Sequence, residues 1–265
     1  MVRSMSKNIP NRTPSDMLKH FAKVYRYPCG VMDIVASTSP DFGPSGWEDC
    51  ESYNRPTHAA PAKAQKDRSC SSAKAEDQER SMRRARAKVR RLALANDFRW
   101  FVTLTLDPQK IDRYDPAQVV KKLGQWCSNH VKRKGLKYIL VPERHKDGAL
   151  HFHGFFNDAL DAVPSGHRTK DGQPIYNLPQ WDLGFTAAIE VYGEYSGAVA
   201  YVCKYIGKQG EKPAGRWYYS GGELAEPEVS YADIGVADLE SEYGAKCWAT
   251  YVPGRKIAVV NGIKE

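Results

Sequence analysis

The stretch LKYILVPERHKDGALHFHGFF, residues 136–156, decides the fold. It contains two runs rich in branched and aromatic residues, LKYILVPE (136–143) and ALHFHGFF (149–156), separated by a segment with the turn-forming triplet KDG. Runs joined by so short a connection are expected to pair antiparallel, because parallel neighbours need a crossover of a dozen residues or more. Alternation in the second run puts His151 and His153 on one side and Phe152 and Phe156 on the other, core-facing side.

Upstream, FVTLTLD (101–107) alternates in the same way and stops at Asp107-Pro108. DPAQVVKKLGQWCSNHVKRKG (115–135) reads as a helix closing at Gly135. Downstream, a Pro/Gly-rich excursion over 161–180 precedes LGFTAAIEVY (183–192), a fourth strand. SGAVAYVCKYIGK (196–208) is then a helix, and the last fifty residues read as turns with one or two short strands. Strands outnumber helices and neighbours join by short turns, so the fold class is α+β, with a central antiparallel sheet and flanking helices. No internal repeat stands out.

Residues 1–79 differ in character. They hold seven of the sixteen prolines and a single leucine, Leu18, and end in a polar stretch with little to bury. The expectation is a poorly structured N-terminal extension, with one short helix over SDMLKHFAKVY (15–25) and a domain over 80–265. From Arg80 a helical stripe of Met82, Ala85, Val89 and Leu92 begins. Its other faces carry Arg80, Arg83, Arg84, Arg86, Lys88, Arg90 and Arg91, with no acid before Asp97. Such self-repulsion is relieved by a phosphate backbone, and the formal net charge of +8 points the same way. Six scattered cysteines form no CxxC, which excludes a zinc ribbon and a thioredoxin-like motif. With no apolar leader and no run of 18 apolar residues, a cytoplasmic protein with no membrane association is expected.

His151 and His153, two apart on a strand, have Cα atoms about 6.5–7 Å apart and can converge on one divalent ion. Glu143, near the end of the preceding strand, reaches them if the two strands pair; His145, in the turn, is a lesser candidate. Two nitrogens and one oxygen with open positions suit Mg²⁺ or Mn²⁺ and tolerate Zn²⁺. By itself an HxH is as well explained by two surface histidines. Tyr201, Lys204, Tyr205 and Lys208 recur at i, i+3, i+4 and i+7, on one helix face. An exposed amphipathic face is the plain explanation. As chemistry, a tyrosine nucleophile needs a nearby cation or base, since a phenol of pKa ~10 is about 0.1% ionised at neutral pH.

FVTLTLD, ERHKDGALHFH and YVCKYIGK, in that order, resemble the three motifs of HUH endonucleases that start rolling-circle replication. The likeness is to initiators of small single-stranded DNA phages and of related plasmids and prophages, and it covers about 80–225. It implies a palm or ferredoxin-like nuclease fold, His151, His153 and Glu143 as metal ligands, and Tyr201 as nucleophile with Lys204. Tyr205 and Lys208 repeat the Y-x-x-K motif one turn on, as in two-tyrosine members. The implied reaction nicks single-stranded or hairpin origin DNA through a 5′-phosphotyrosyl intermediate and later rejoins strands in a bacterial host. Arg83, Arg84, Arg86, Lys88, Arg90 and Arg91 would grip the DNA. No G-x-x-x-x-G-K-[ST] is present, so a separate helicase and polymerase are expected partners. A plasmid relaxase, a transposase of the same superfamily and a non-catalytic nucleic-acid-binding protein are the alternatives.

Overall fold

A computed structural model of the chain describes residues 21–38, 70–191, 195–208, 210–252 and 255–264. The fold is α+β: two antiparallel sheets, of seven and five strands, with four helices among the described residues. The chain divides into two compact units, Asp67–Glu226 and Met1–Lys66 with Pro227–Glu265.

The first unit is built on the seven-stranded sheet. Its strands are β3 (Trp100–Leu106), β4 (Tyr138–Arg144), β5 (Leu150–Phe156), β6 (Val163–Arg168), β7 (Pro174–Asn177), β8 (Gly184–Glu190) and β9 (Tyr219–Gly221), in the order β6-β7-β8-β3-β5-β4-β9. β4 and β5 form the expected hairpin, closed by bonds from His145 N to the Ala149 carbonyl and from Gly148 N to the His145 carbonyl. Gly148 supplies the positive φ that this tight connection needs. β9 pairs with Tyr138–Leu140 alone, so Pro142 lies beyond that ladder, where its missing N–H costs nothing on the β9 side.

On one face packs helix α2 (Pro116–Lys134). Asp115 caps its start by accepting from the amides of Ala117 and Gln118, and Gly135, at φ 69°, closes it. Val119, Leu123 and Trp126 of α2 meet Trp100, Val102, Leu104, Leu140, Phe152 and Phe156 in one core cluster. The opposite face carries α1 (Cys70–Ala95) and α3 (Tyr195–Tyr205), which pack on each other; α3 also contacts β4 and β5. Val89, Leu92, Phe98, Ile139, Phe155, Val199 and Val202 are buried on this side.

Gly154 is required by close approach rather than by backbone angle. A Cβ there would lie 1.8 Å from the Ile139 carbonyl oxygen on the neighbouring strand, inside any permitted contact.

Four differences from the sequence reading stand out. Helix α1 starts at Cys70, ten residues before the basic run; Ala, Glu and Gln favour helix there without an apolar stripe to announce it, and Gln78 and Ser81 anchor that half to Gly210 and Trp217. The excursion 161–180 contains the hairpin β6–β7, which extends the sheet beyond β8. The tyrosine helix ends at Tyr205, and Lys208 sits in the following turn. Lastly, part of 1–79 is ordered strand, and of the helix expected over 15–25 the portion inside the described residues, 21–25, is extended.

That strand belongs to the second unit. β1 (Phe21–Tyr27) and β2 (Val31–Ser37) form a hairpin in a sheet with β10 (Glu228–Ala232), β11 (Cys247–Val252) and β12 (Arg255–Lys264), in the order β10-β1-β2-β12-β11. Helix α4 (Val236–Tyr243) covers one face, burying Val236 and Leu239 against Ala22, Val24, Ile34, Ala258 and Val260. No helix among the described residues is long and apolar enough to cross a membrane.

Candidate active site

The register fixes the site. In the paired ladders Glu143 of β4 stands opposite His151 of β5, and His151 stands opposite Thr105 of β3; one row along, Val141, His153 and Thr103 align. Directly opposed residues of antiparallel strands share a face. Glu143, His151 and His153 therefore rise together on the side that also carries α1 and α3.

Their ligand atoms converge. Glu143 Oε2 lies 3.1 Å from Nε2 of both His151 and His153, and the two Nε2 atoms are 2.8 Å apart. Adjacent ligands of an octahedral ion with bonds of 2.0–2.1 Å are themselves about 3.0 Å apart, so this triangle has the edges such an ion demands. Among the described residues it is the group of three that could hold a metal ion. Thr103 Oγ1 lies 3.1 Å from His153 Nδ1. With Nδ1 as donor to that hydroxyl, Nε2 keeps its lone pair for the metal.

Electrostatics favour ligand-competent forms. Burial, then the neighbouring His151, push the His153 imidazole down to about 4, with Glu143 opposing. His151 is lowered too, chiefly by burial. Burial resists ionisation of Glu143, whose side chain is 8% exposed, but the Lys208 ammonium at 2.6 Å from Oε1 and the two imidazoles outweigh it and hold the carboxyl below its ordinary range. A neutral imidazole pair beside a carboxylate is the protonation state that binds a cation.

Above the triad lie the tyrosines. The ring of Tyr205 stacks on His153, with centroids 4.2 Å apart and planes 18° apart, and its hydroxyl donates to the Tyr201 oxygen at 2.6 Å. Burial, then this bond, push the Tyr205 phenol up. Tyr201 is 48% exposed and meets Phe101 edge-on at 5.8 Å. The structure thus brings Glu143, His151, His153, Tyr201, Tyr205 and Lys208 to one place. Lys204 is exposed and makes no ion pair among the described residues.

The basic helix is more divided. Arg86 turns inward: its Nε and Nη2 donate to the Ile206 carbonyl at 2.9 and 2.7 Å, capping the turn after the tyrosine helix. Arg83 pairs with Glu79, Lys88 with Glu226, and Arg91 bonds the Ala87 carbonyl. Arg84 is exposed, and Arg90 is half-buried with a partner of its own.

Thr103, Phe101 and the Lys208–Glu143 pair belong to the site without having been singled out in these roles from sequence. The alternation of FVTLTLD placed Phe101, Thr103 and Thr105 on one side; only the β3–β5 register shows that this side faces the histidines.

A buried His-x-His and glutamate on adjacent strands, beneath a pair of hydrogen-bonded tyrosines, define a metal-binding site with a nucleophile beside it. Residues 99–210 match a family of replication-associated proteins, the one described by its ORF2 member. That match covers less than half of the chain and takes in Glu143, both histidines, both tyrosines, Lys204 and Lys208. Comparison with curated proteins and with solved structures gives no match.

Proposed function

We propose that this chain is a replication initiator that nicks and rejoins single-stranded origin DNA through a tyrosine, in the manner of HUH endonucleases. The observation that carries the reading is the convergence of Glu143, His151 and His153 within 3.1 Å, directly against the ring of Tyr205 and its bonded partner Tyr201. The match to a replication-associated family over the same residues supports the setting.

Tyr201, the more exposed phenol, attacks a phosphodiester phosphorus. The Tyr201 O–P bond forms and the P–O3′ bond breaks. The phenolic proton is lost and the departing 3′ oxygen gains one, leaving a 5′-phosphotyrosyl link and a free 3′-hydroxyl. A divalent ion, Mg²⁺ or Mn²⁺, held by Glu143, His151 and His153 would polarise the phosphate and offset charge on the transition state. Tyr205 keeps its proton and donates it toward the Tyr201 oxygen, which favours the attacking phenolate; in a second cycle the phenols exchange roles. Lys208 holds Glu143 through Oε1, so that Oε2 faces the histidines. Lys204, exposed one turn from Tyr201, is free to meet a phosphate, as is Arg84 on α1. Joining is the reverse step, with a 3′-hydroxyl attacking the phosphotyrosine.

The test is covalent capture. Wild-type protein with Mn²⁺ and single-stranded oligonucleotides spanning the DNA on either side of its gene should give an SDS-resistant adduct, mapped by peptide sequencing to Tyr201 or Tyr205. Tyr201→Phe with Tyr205→Phe should give none. Cleavage that survives the double substitution would sink the covalent mechanism.

A further inference from the structure

The row of the sheet that holds the triad continues past it. His151 faces Thr105 of β3, and Thr105 faces Phe185 of β8; in the next row His153 faces Thr103, which faces Ala187. All of these side chains leave the sheet on the same side. Between the histidines and Phe185 stand only Thr103, Thr105 and Ala187, so the surface there is a trough with an aromatic ring at its far edge. Phe185 is 64% exposed, and no ring contact to it is recorded among the described residues.

At the end of this trough opens a pocket of about 380 Å³, lined by Thr103, Thr105, Arg113, His145, Asp147 and His151 with their neighbours. Its volume lies in the range of small-ligand sites. Arg113 is pinned by Asp147 Oδ2 at 3.0 Å and by the Tyr114 hydroxyl at 3.2 Å. Its Nε is nevertheless buried without an acceptor among the described residues, and His151 Nδ1 is likewise buried without a partner. Buried polar atoms are nearly always satisfied, so two orphans on residues of one pocket point to a ligand that supplies the missing partners. A flat face at one edge and fixed polar groups in the wall suit a planar heteroaromatic ring.

We propose that this pocket receives one unstacked base of single-stranded DNA, with Phe185 against its face and the Arg113 wall against its edge. The proposal rests on the nicking reading for one element, the position of that base beside the cut phosphate. Stacking on an aromatic side chain is tolerant of base identity, whereas a pinned arginine is not. Phe185 thus contributes affinity, and Arg113 contributes preference among bases.

The test measures equilibrium binding without metal, by fluorescence anisotropy. The probes are labelled (dT)12 and a twelve-unit oligomer of the same backbone with tetrahydrofuran in place of every base. Wild type should prefer the base-bearing probe. Phe185→Ala should reduce the ratio of the two affinities about tenfold, Phe185→Tyr should keep it, and Thr105→Leu, which fills the trough, should lower it. A ratio that Phe185→Ala leaves unchanged overturns the pocket, as does a wild type that binds both probes equally. Absence of an SDS-resistant adduct with Mn²⁺ overturns the nicking reading and leaves the affinity ratio where it was, so the two failures are told apart.

Discussion

The two faces of the seven-stranded sheet are made by the same strands and do opposite work. Toward α2 stand Trp100, Val102, Leu104, Phe152 and Phe156, all buried with apolar neighbours. One residue along each strand, toward α1 and α3, stand Phe101, Thr103, His151 and His153 with Glu143 across from them. A period of two lets one strand hold a dry core on one side and costly polar groups on the other. The dry face supplies stability, and the site face draws on it to keep two imidazoles and a carboxylate partly desolvated.

That contrast can be broken from either side. The largest effect is expected on the site face: His151→Ala with His153→Ala should lower metal-dependent cleavage by about 10³-fold or more while circular dichroism stays native. If the pair carries only packing, cleavage will track stability. On the dry face, Phe152→Ala should cost about 3–5 kcal/mol in urea unfolding, with adduct formation retained in the folded fraction. Equal losses of stability from the two faces would erase the distinction.

The smallest effect sharpens the comparison through pH. The folded His153 imidazole, held near 4, lies below its unfolded value of about 6.5. Between those limits the unfolded chain binds a proton that the folded chain does not. Its stability contribution is complete above about pH 6.5 and is lost as pH falls toward 4, by at most about 1.4 kcal/mol per pH unit. Urea unfolding at several pH values should show this slope, and His153→Gln should flatten it.

Much of this was legible in residues 136–156. The turn length and the alternation of HFHGFF specify the hairpin, and the hairpin brings Glu143 opposite His151. The tyrosine stripe was legible as a helical face. What escaped has physical reasons. β1 and β2 pair with strands some two hundred residues away, Ala22 with Ala232 and Ile34 with Val260, and no local pattern encodes such partners. The β6–β7 hairpin is mostly exposed, and its register shifts between Pro164 and Arg168, so it lacks a buried stripe to reveal it. The inward turn of Arg86 was hidden because a charged run gives no sign of which member meets a backbone carbonyl. Lys208 reaches Glu143 because the helix ends at Tyr205 and the chain folds back through Gly207, at φ 78°.

The Arg86 contact bears on mechanics. A tyrosine joined covalently to a DNA strand becomes a tether, and tension on the strand pulls on the helix that carries it. The helix ends one residue before the carbonyl that Arg86 grips with two donors, and Arg86 sits deep within a helix of 26 residues. Load applied at Tyr201 is thereby shared with a second, longer helix instead of falling on the final turn alone.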